Sequence, residues 1–241
     1  MKMTVIVVRA DDNFSQMLRD AGLEVINLEL IKTEVLEDLS EFENLISHPD
    51  DYAGVFFTSP VAAQVFVDRV QPRLKPALYA LGRRATAVLV DAGFAVRTIS
   101  DANTADEMLA AFGDAEFAGK KLLFVRGERS MRTIPEKLRG IADIDEIAVY
   151  RTVEIEPAET AVSDIRRRLE KREIDWACFF SPSAVEAFEK RFGTAAVNVA
   201  AIGNITATRA RELGFRVDLV ASRATNEVFA KELIDWLRAN C

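Results

Sequence analysis

Histidine occurs once in this 241-residue chain, at His48, and cysteine twice, at Cys178 and Cys241. A lone histidine beside Pro49 in a loop-like stretch argues against a histidine-based triad. One cysteine in an apolar run and one at the last position make neither a disulfide framework nor a metal site. Gly119-Lys120-Lys121 lacks the first glycine and the Ser/Thr of a Walker A loop, and no GxGxxG is present. Basic charge is also short: 31 Lys and Arg stand against 38 Asp and Glu. The resulting net charge of −7 argues against nucleic acid or an anionic membrane as partner. No apolar run reaches the roughly 18 residues of a membrane span. The short apolar stretch Val5 to Val8, closed by Arg9 without a small-residue cleavage site, reads as a first strand rather than a signal peptide, and a cytoplasmic location is expected. Gly/Ser-rich linkers and low-complexity segments are missing as well.

What is present is a globular composition, 49% hydrophobic and 29% charged, carrying an internal duplication. Phe57 to Phe66 (FTSPVAAQVF) returns as Phe179 to Phe188 (FFSPSAVEAF), identical at five of ten positions. Gly82, Gly93 and Thr104 are then matched by Gly203, Gly214 and Thr225 at one constant separation. A fixed long period means two copies of one supersecondary unit. Two similar lobes facing each other would form a cleft for a small-molecule ligand.

Short strand-like runs alternate with helical periodicity along the whole chain. The strands are expected at 4–8, 23–30, 54–57, 77–81, 95–98, 121–125, 145–149, 176–180, 197–202 and 216–220. Strict alternation implies parallel sheets covered on both faces, hence an α/β protein of two doubly wound, flavodoxin-like domains. Leu28 to Val35 and Ile147 to Glu156 break the pattern as longer extended stretches with one wet face, which suits an antiparallel ribbon between lobes. Linker strands are therefore placed at 31–35 and 147–156. One domain is placed at 36–146, and a discontinuous one at 1–30 plus 157–241.

Candidate functional residues sit where strands hand over to helices. Thr58-Ser59-Pro60 and Ser181-Pro182-Ser183 put a hydroxyl at a helix N-cap and proline at the first helical position. Gly82-Arg83, Gly203-Asn204-Ile205-Thr206 and the Thr104/Glu107 capping box fall at corresponding places. Open α/β sheets bind ligands at the carboxyl ends of their strands, and free N–H groups there receive anions. Each is a good cap in its own right; their repetition in both lobes is what points to a ligand. Arg126-Gly127-Glu128-Arg129 with Arg132 is a local basic patch after a strand; solvated surface is the default reading, and the strand-end position favours an anion contact. Arg166-Arg167-Arg168, mid-helix among acids, reads as surface. Tyr150 lies in the crossing strand, open to interface packing or to a ligand-facing hydroxyl.

The two duplicated segments, Ala201 to Ala207 (AIGNITA), Lys121 to Gly127 (KLLFVRG) and Val149-Tyr150-Arg151-Thr152 together resemble the uroporphyrinogen-III synthase family, in the expected order over nearly the whole chain. The first copy departs from the second: Thr86 stands one residue later after Gly82 than Thr206 does after Gly203. The resemblance implies a cofactor-free lyase that closes hydroxymethylbilane with inversion of ring D, in tetrapyrrole and haem biosynthesis. It implies Tyr150 as the residue that helps the hydroxyl leave. Arg9, Thr58, Ser59, Gly82, Arg83, Arg126, Ser181, Ser183, Gly203, Asn204, Ile205 and Thr206 would hold the substrate. A monomer is expected. The alternative from the residues alone is a two-lobed protein that closes on a small anion without chemistry. Two crossing segments further imply that 4–8 packs with the C-terminal half, not in the sheet containing 54–57.

Overall fold

Apolar runs such as Thr4–Val7, Gly54–Phe57 and Trp176–Phe179 are buried along their full length, and strands buried on both faces pair in parallel through helical crossovers. The computed structural model, which describes residues 3–72, 75–100, 102 and 104–240, has that arrangement. In chain order the elements begin β1 (Thr4–Val7), α1 (Asn13–Asp20), β2 (Glu24–Asn27), β3 (Ile31–Val35), α2 (Ser40–Ser47), β4 (Gly54–Phe57), α3 (Pro60–Val67) and β5 (Ala77–Ala80). They continue with α4 (Arg83–Asp91), β6 (Val96–Arg97), α5 (Ala105–Phe112), β7 (Lys121–Gly127), α6 (Thr133–Lys137), β8 (Asp143–Glu154) and α7 (Glu159–Glu170). The last are β9 (Trp176–Phe179), α8 (Pro182–Phe192), β10 (Asn198–Ala201), α9 (Asn204–Glu212), β11 (Val217–Val220) and α10 (Asn226–Asn240).

The chain divides into two compact units, Met1–Lys32 with Val153–Cys241, and Thr33–Thr152. In the first, the described strands run β2-β1-β9-β10-β11, all parallel, the 2-1-3-4-5 order of a doubly wound sheet. Thr4–Val7 thus hydrogen-bonds into the C-terminal half of the chain. In the second unit the order is β3-β8-β7-β4-β5-β6, parallel from β8 to β6. Aligning β4 with β9, as the duplicated segment demands, makes the two spatial orders identical. β7 stands where β1 stands and β8 where β2 stands. The two copies are circular permutations of each other in chain order.

Alternation along the strands loads both faces. In β4, Val55 and Phe57 join α3 and α4 residues in one cluster, while Phe56 joins Met108, Phe117 and Leu138 in the other. In β1, Ile6 packs with Val185 and Phe188, and Val5 and Val7 pack with Phe14, Phe229 and Leu233. A buried side chain of this size contributes about 1.5–3 kcal/mol.

Several expected strands are shorter or differently joined. Only Glu24–Asn27 of 23–30 and Val96–Arg97 of 95–98 are strand. The separately expected 145–149 and 147–156 are one twelve-residue strand, β8, because its first half pairs with β7 and its continuation meets β3. Ile155 donates its N–H to Leu30 and Leu36 donates its N–H to Val149, so the β3–β8 ribbon is antiparallel. Cys178 is fully buried, and desolvation pushes its thiol far up; Cys241 lies outside the described residues. Among the described residues no helix is long and apolar enough to cross a membrane, and no group of three or more His, Cys, Asp or Glu could hold a metal ion.

Polar side chains tie β8 to its neighbours at the opposite sheet edge. Tyr52 donates its hydroxyl to Asp145 Oδ2 at 2.6 Å, and Lys121 Nζ lies 3.1 Å from the same oxygen. The Tyr52 hydrogen bond holds the Asp145 carboxyl below its ordinary value of 3.8, against burial and with help from Lys121. A carboxyl whose folded pKa is depressed stabilises the fold above its unfolded value, and that contribution is lost as pH falls through the folded value. Asp145→Asn is expected to lower stability at neutral pH and to flatten the further loss below pH 3.8, read as urea midpoints across an acid titration. Parallel titration curves for variant and wild type would contradict this.

Candidate active site

A helix that follows a strand must satisfy its first N–H groups at the turn. In the second unit, Ser59 caps α3 by accepting the Val61 N–H at 3.2 Å, with Pro60 at the first helical position. Thr58 is half-buried between β4 and this cap. Thr104 and Glu107 form a reciprocal capping box on α5, at 3.2 and 3.3 Å. Gly82 begins α4 at φ 82°, a conformation open almost solely to glycine, with exposed Arg83 following. Thr86 donates its hydroxyl back to the Gly82 carbonyl at 3.0 Å, so the one-residue offset seen in sequence puts it to structural use.

The first unit repeats the set. Ser181 caps α8 by accepting the Ala184 N–H at 3.2 Å, and its Oγ lies 3.1 Å from Ser183 Oγ. Thr225 accepts the Val228 N–H at the start of α10. Gly203 precedes α9 with extended backbone, φ −178°, and a Cβ placed there would meet nothing within 4 Å. Asn204 and Ile205 are exposed, Ile205 by 53%, whereas Thr206 is only 4% exposed. Gly203 therefore needs no glycine for backbone or packing. All these turns lie at the carboxyl edge of their own sheet, since Phe57 pairs with Ala80 and Val125, and Phe179 with Ala201.

The arginines are engaged within the chain. Arg9 pairs with Asp12, donates to Asn226 Oδ1 at 3.4 Å and lies over the Phe180 ring at 4.3 Å. Asn226 in turn donates to Asp12, which caps α1, so one knot joins the starts of α1 and α10. Arg126 Nε lies 3.0 Å from Glu146 Oε2 without hydrogen-bond alignment, and its Nη1 donates to the carbonyls of Gly127 and Glu128. Both guanidinium groups clamp the loop after their strand, a use that the strand-end position alone did not reveal. Val8-Arg9-Ala10 and Val125-Arg126-Gly127 are corresponding pieces of the permuted copies. That match was available in the sequence, but outside the constant period that carried the rest of the repeat.

Tyr150 is half-buried, packed against the cluster holding Val125 and Val149. Its partner in β7 is Gly127, after a bulge that skips Val149. Gly127 and Ser130 were not singled out by sequence reasoning; Ser130 Oγ accepts the Gly127 N–H at 2.9 Å and closes the loop beside the tyrosine.

The chain as a whole has counterparts among known proteins. The family model described as uroporphyrinogen-III synthase HemD matches residues 12–231. The chain belongs to the uroporphyrinogen-III synthase family. A uroporphyrinogen-III synthase from Chlorobaculum parvum is 27% identical over 200 residues, covering 78% of this chain and 80% of the relative. One from Schizosaccharomyces pombe is 31% identical over 121 residues, covering 50% of this chain and 46% of that one. Crystal structures of a Helicobacter pylori uroporphyrinogen-III synthetase and a mutant Thermus thermophilus uroporphyrinogen III synthase share the fold. Their TM-scores are 0.67 and 0.64, at 17% and 16% identity and at least 98% coverage of both chains. Membership in this enzyme family does not favour the anion-binding alternative.

The paired glycines give this family member a direct test. Gly82→Ser is expected to cost about 1–2 kcal/mol through its positive φ. Gly203→Ser adds a capping side chain in open space and should change stability by no more than about 0.5 kcal/mol. Urea denaturation of both variants checks this, and equal losses would show that Gly203 has a structural role.

Proposed function

We propose that this chain is a uroporphyrinogen-III synthase that closes hydroxymethylbilane, a linear tetrapyrrole, with ring D inverted. The observation that carries the reading is the family match over 12–231, joined to a set of capped helix starts repeated at the strand carboxyl edge of each unit. A polycarboxylate needs many anion acceptors and few catalytic side chains. A helix start supplies roughly 0.3–1 kcal/mol toward an anion, more when partly buried. The overall charge of −7 is screened beyond about 8 Å at physiological salt, so local donors decide binding.

In this reading Thr58, Ser59, Ser181, Ser183, Asn204, and the backbone N–H groups at Gly82, Arg83, Gly203 and Ile205, take substrate carboxylates. Arg9 and Arg126 act by clamping the loops after their strands. The two units act as separate domains joined by the β3–β8 ribbon. Tyr150 donates its proton to the terminal hydroxyl, whose C–O bond breaks as water leaves. The cation is attacked by the ring D carbon that already bears the bridge, giving the spiro intermediate. That carbon's original bridge bond breaks and re-forms at the other free position of ring D, and the proton lost there on rearomatisation returns to Tyr150. The uninverted isomer forms without the enzyme, so a hundredfold preference asks for only about 2.7 kcal/mol of barrier difference. Folding the bilane to present the correct carbon supplies it. The protein works as a cytoplasmic monomer without metal or organic cofactor, nucleic acid or membrane.

The test is turnover of enzymatically prepared hydroxymethylbilane with isomer analysis of the product. The inverted isomer should dominate; only the uninverted one, at the buffer rate, would overturn the reading. Tyr150→Phe should lower turnover about 10- to 1,000-fold, the span of a general-acid contribution, with the melting temperature nearly unchanged. Ser183→Ala should instead weaken binding by about 0.5–1.5 kcal/mol. Full turnover in a folded Tyr150→Phe variant would leave substrate shaping as the whole mechanism.

A further inference from the structure

Gly127 is required by a side chain, not by its backbone. It ends strand β7 outside the positive-φ region that favours glycine. A Cβ built on it would lie 2.4 Å from Tyr150 Cζ, 2.5 Å from Cε2 and 2.9 Å from Oη, and these are the three nearest atoms. Real Cβ atoms essentially never approach that closely. Gly54 offers a contrast: its Cβ would meet Tyr79, the Ala77 carbonyl and Leu122 together, which is general crowding inside the sheet. At Gly127 the space belongs to one ring.

The duplicated copy is an internal control. Ala10 follows Arg9 as Gly127 follows Arg126, and the tyrosines of this chain are Tyr52, Tyr79 and Tyr150. The copy without a tyrosine on the neighbouring strand thus carries a Cβ where the copy with one does not. The slot is also rigid. Gly127 donates its N–H to Ser130 Oγ at 2.9 Å and accepts the Ser130 N–H at 3.1 Å. Glu128 donates to the Tyr150 carbonyl at 2.9 Å, and Arg126 holds the carbonyls of Gly127 and Glu128.

We infer that Gly127 is a positioning residue whose missing side chain forms the slot in which the Tyr150 ring lies, setting where the phenol hydroxyl sits during ring closure. The catalytic half of this inference rests on the role proposed for Tyr150.

Gly127→Ala should lower kcat about 10- to 100-fold, the cost of misplacing a group by about 1 Å, with KM little changed. In protein labelled with carbon-13 tyrosine, the Tyr150 ring signals should move while those of Tyr52 and Tyr79 stay. On a Tyr150→Phe background, Gly127→Ala should add little further loss in kcat, and on a Tyr150→Ala background it should leave the thermal midpoint unchanged. An unmoved Tyr150 spectrum, or an equal kcat loss with and without the hydroxyl, would overturn the inference. If Gly127→Ala alone does not fold, folding of the Gly127→Ala/Tyr150→Ala pair supports the slot and its failure to fold refutes it. Should the wild type leave hydroxymethylbilane unconverted, the proposed function fails, whereas the spectra and thermal midpoints still decide the slot.

Discussion

Parallel strands return only through crossovers, and that constraint sends the start of each crossover helix to the carboxyl edge of its sheet. Every such start leaves N–H groups without helical partners. Ser59, Thr104, Ser181 and Thr225 answer part of that demand with a side-chain oxygen. Gly82 and Gly203 make no side-chain cap at all. The proposed carboxylate sites are therefore a by-product of the sheet topology before they are a specialisation.

The same topology explains how one chain builds two copies with different connectivity. Strands β1 and β2 enter the first sheet, β3 leaves it, and the chain completes β4 to β8 before returning to β9. Spatial neighbours are kept while chain order is rotated, since hydrogen-bonded pairing depends on adjacency and not on connection. The cost is a second crossing, met by extending β8 past the end of β7 so that it also pairs with β3. The bulge opposite Arg126 and Gly127 lies at that extension and is where Tyr150 takes its place.

Charge plays a quieter part than composition first suggests. Arg9 and Arg126 spend their donors on Asp12, Asn226, Glu146 and backbone carbonyls, so their guanidinium groups fix loops at the edge of each sheet. In the function proposed above, an acidic chain accepts anions through oriented backbone dipoles, which do not enter the net charge.

The sequence by itself determined the duplication, the alternating α/β pattern, the capped turns and the family, because each rests on local periodicity, cap chemistry or residue order. Phe57-Thr58-Ser59-Pro60 and Phe179-Phe180-Ser181-Pro182 carry their strand, cap and helix start within four positions. The two crossing segments also placed 4–8 with the C-terminal half, whereas only tertiary structure decided that β8 is one strand and that Arg9 and Arg126 turn inward. Those outcomes depend on partners such as Glu146, Asn226 and β3 that lie far off in sequence, and no local propensity encodes them. Gly127 is the sharpest case: in sequence it is a glycine between Arg126 and Glu128, and its meaning comes from the ring of Tyr150, 2.4 Å from where its side chain would be.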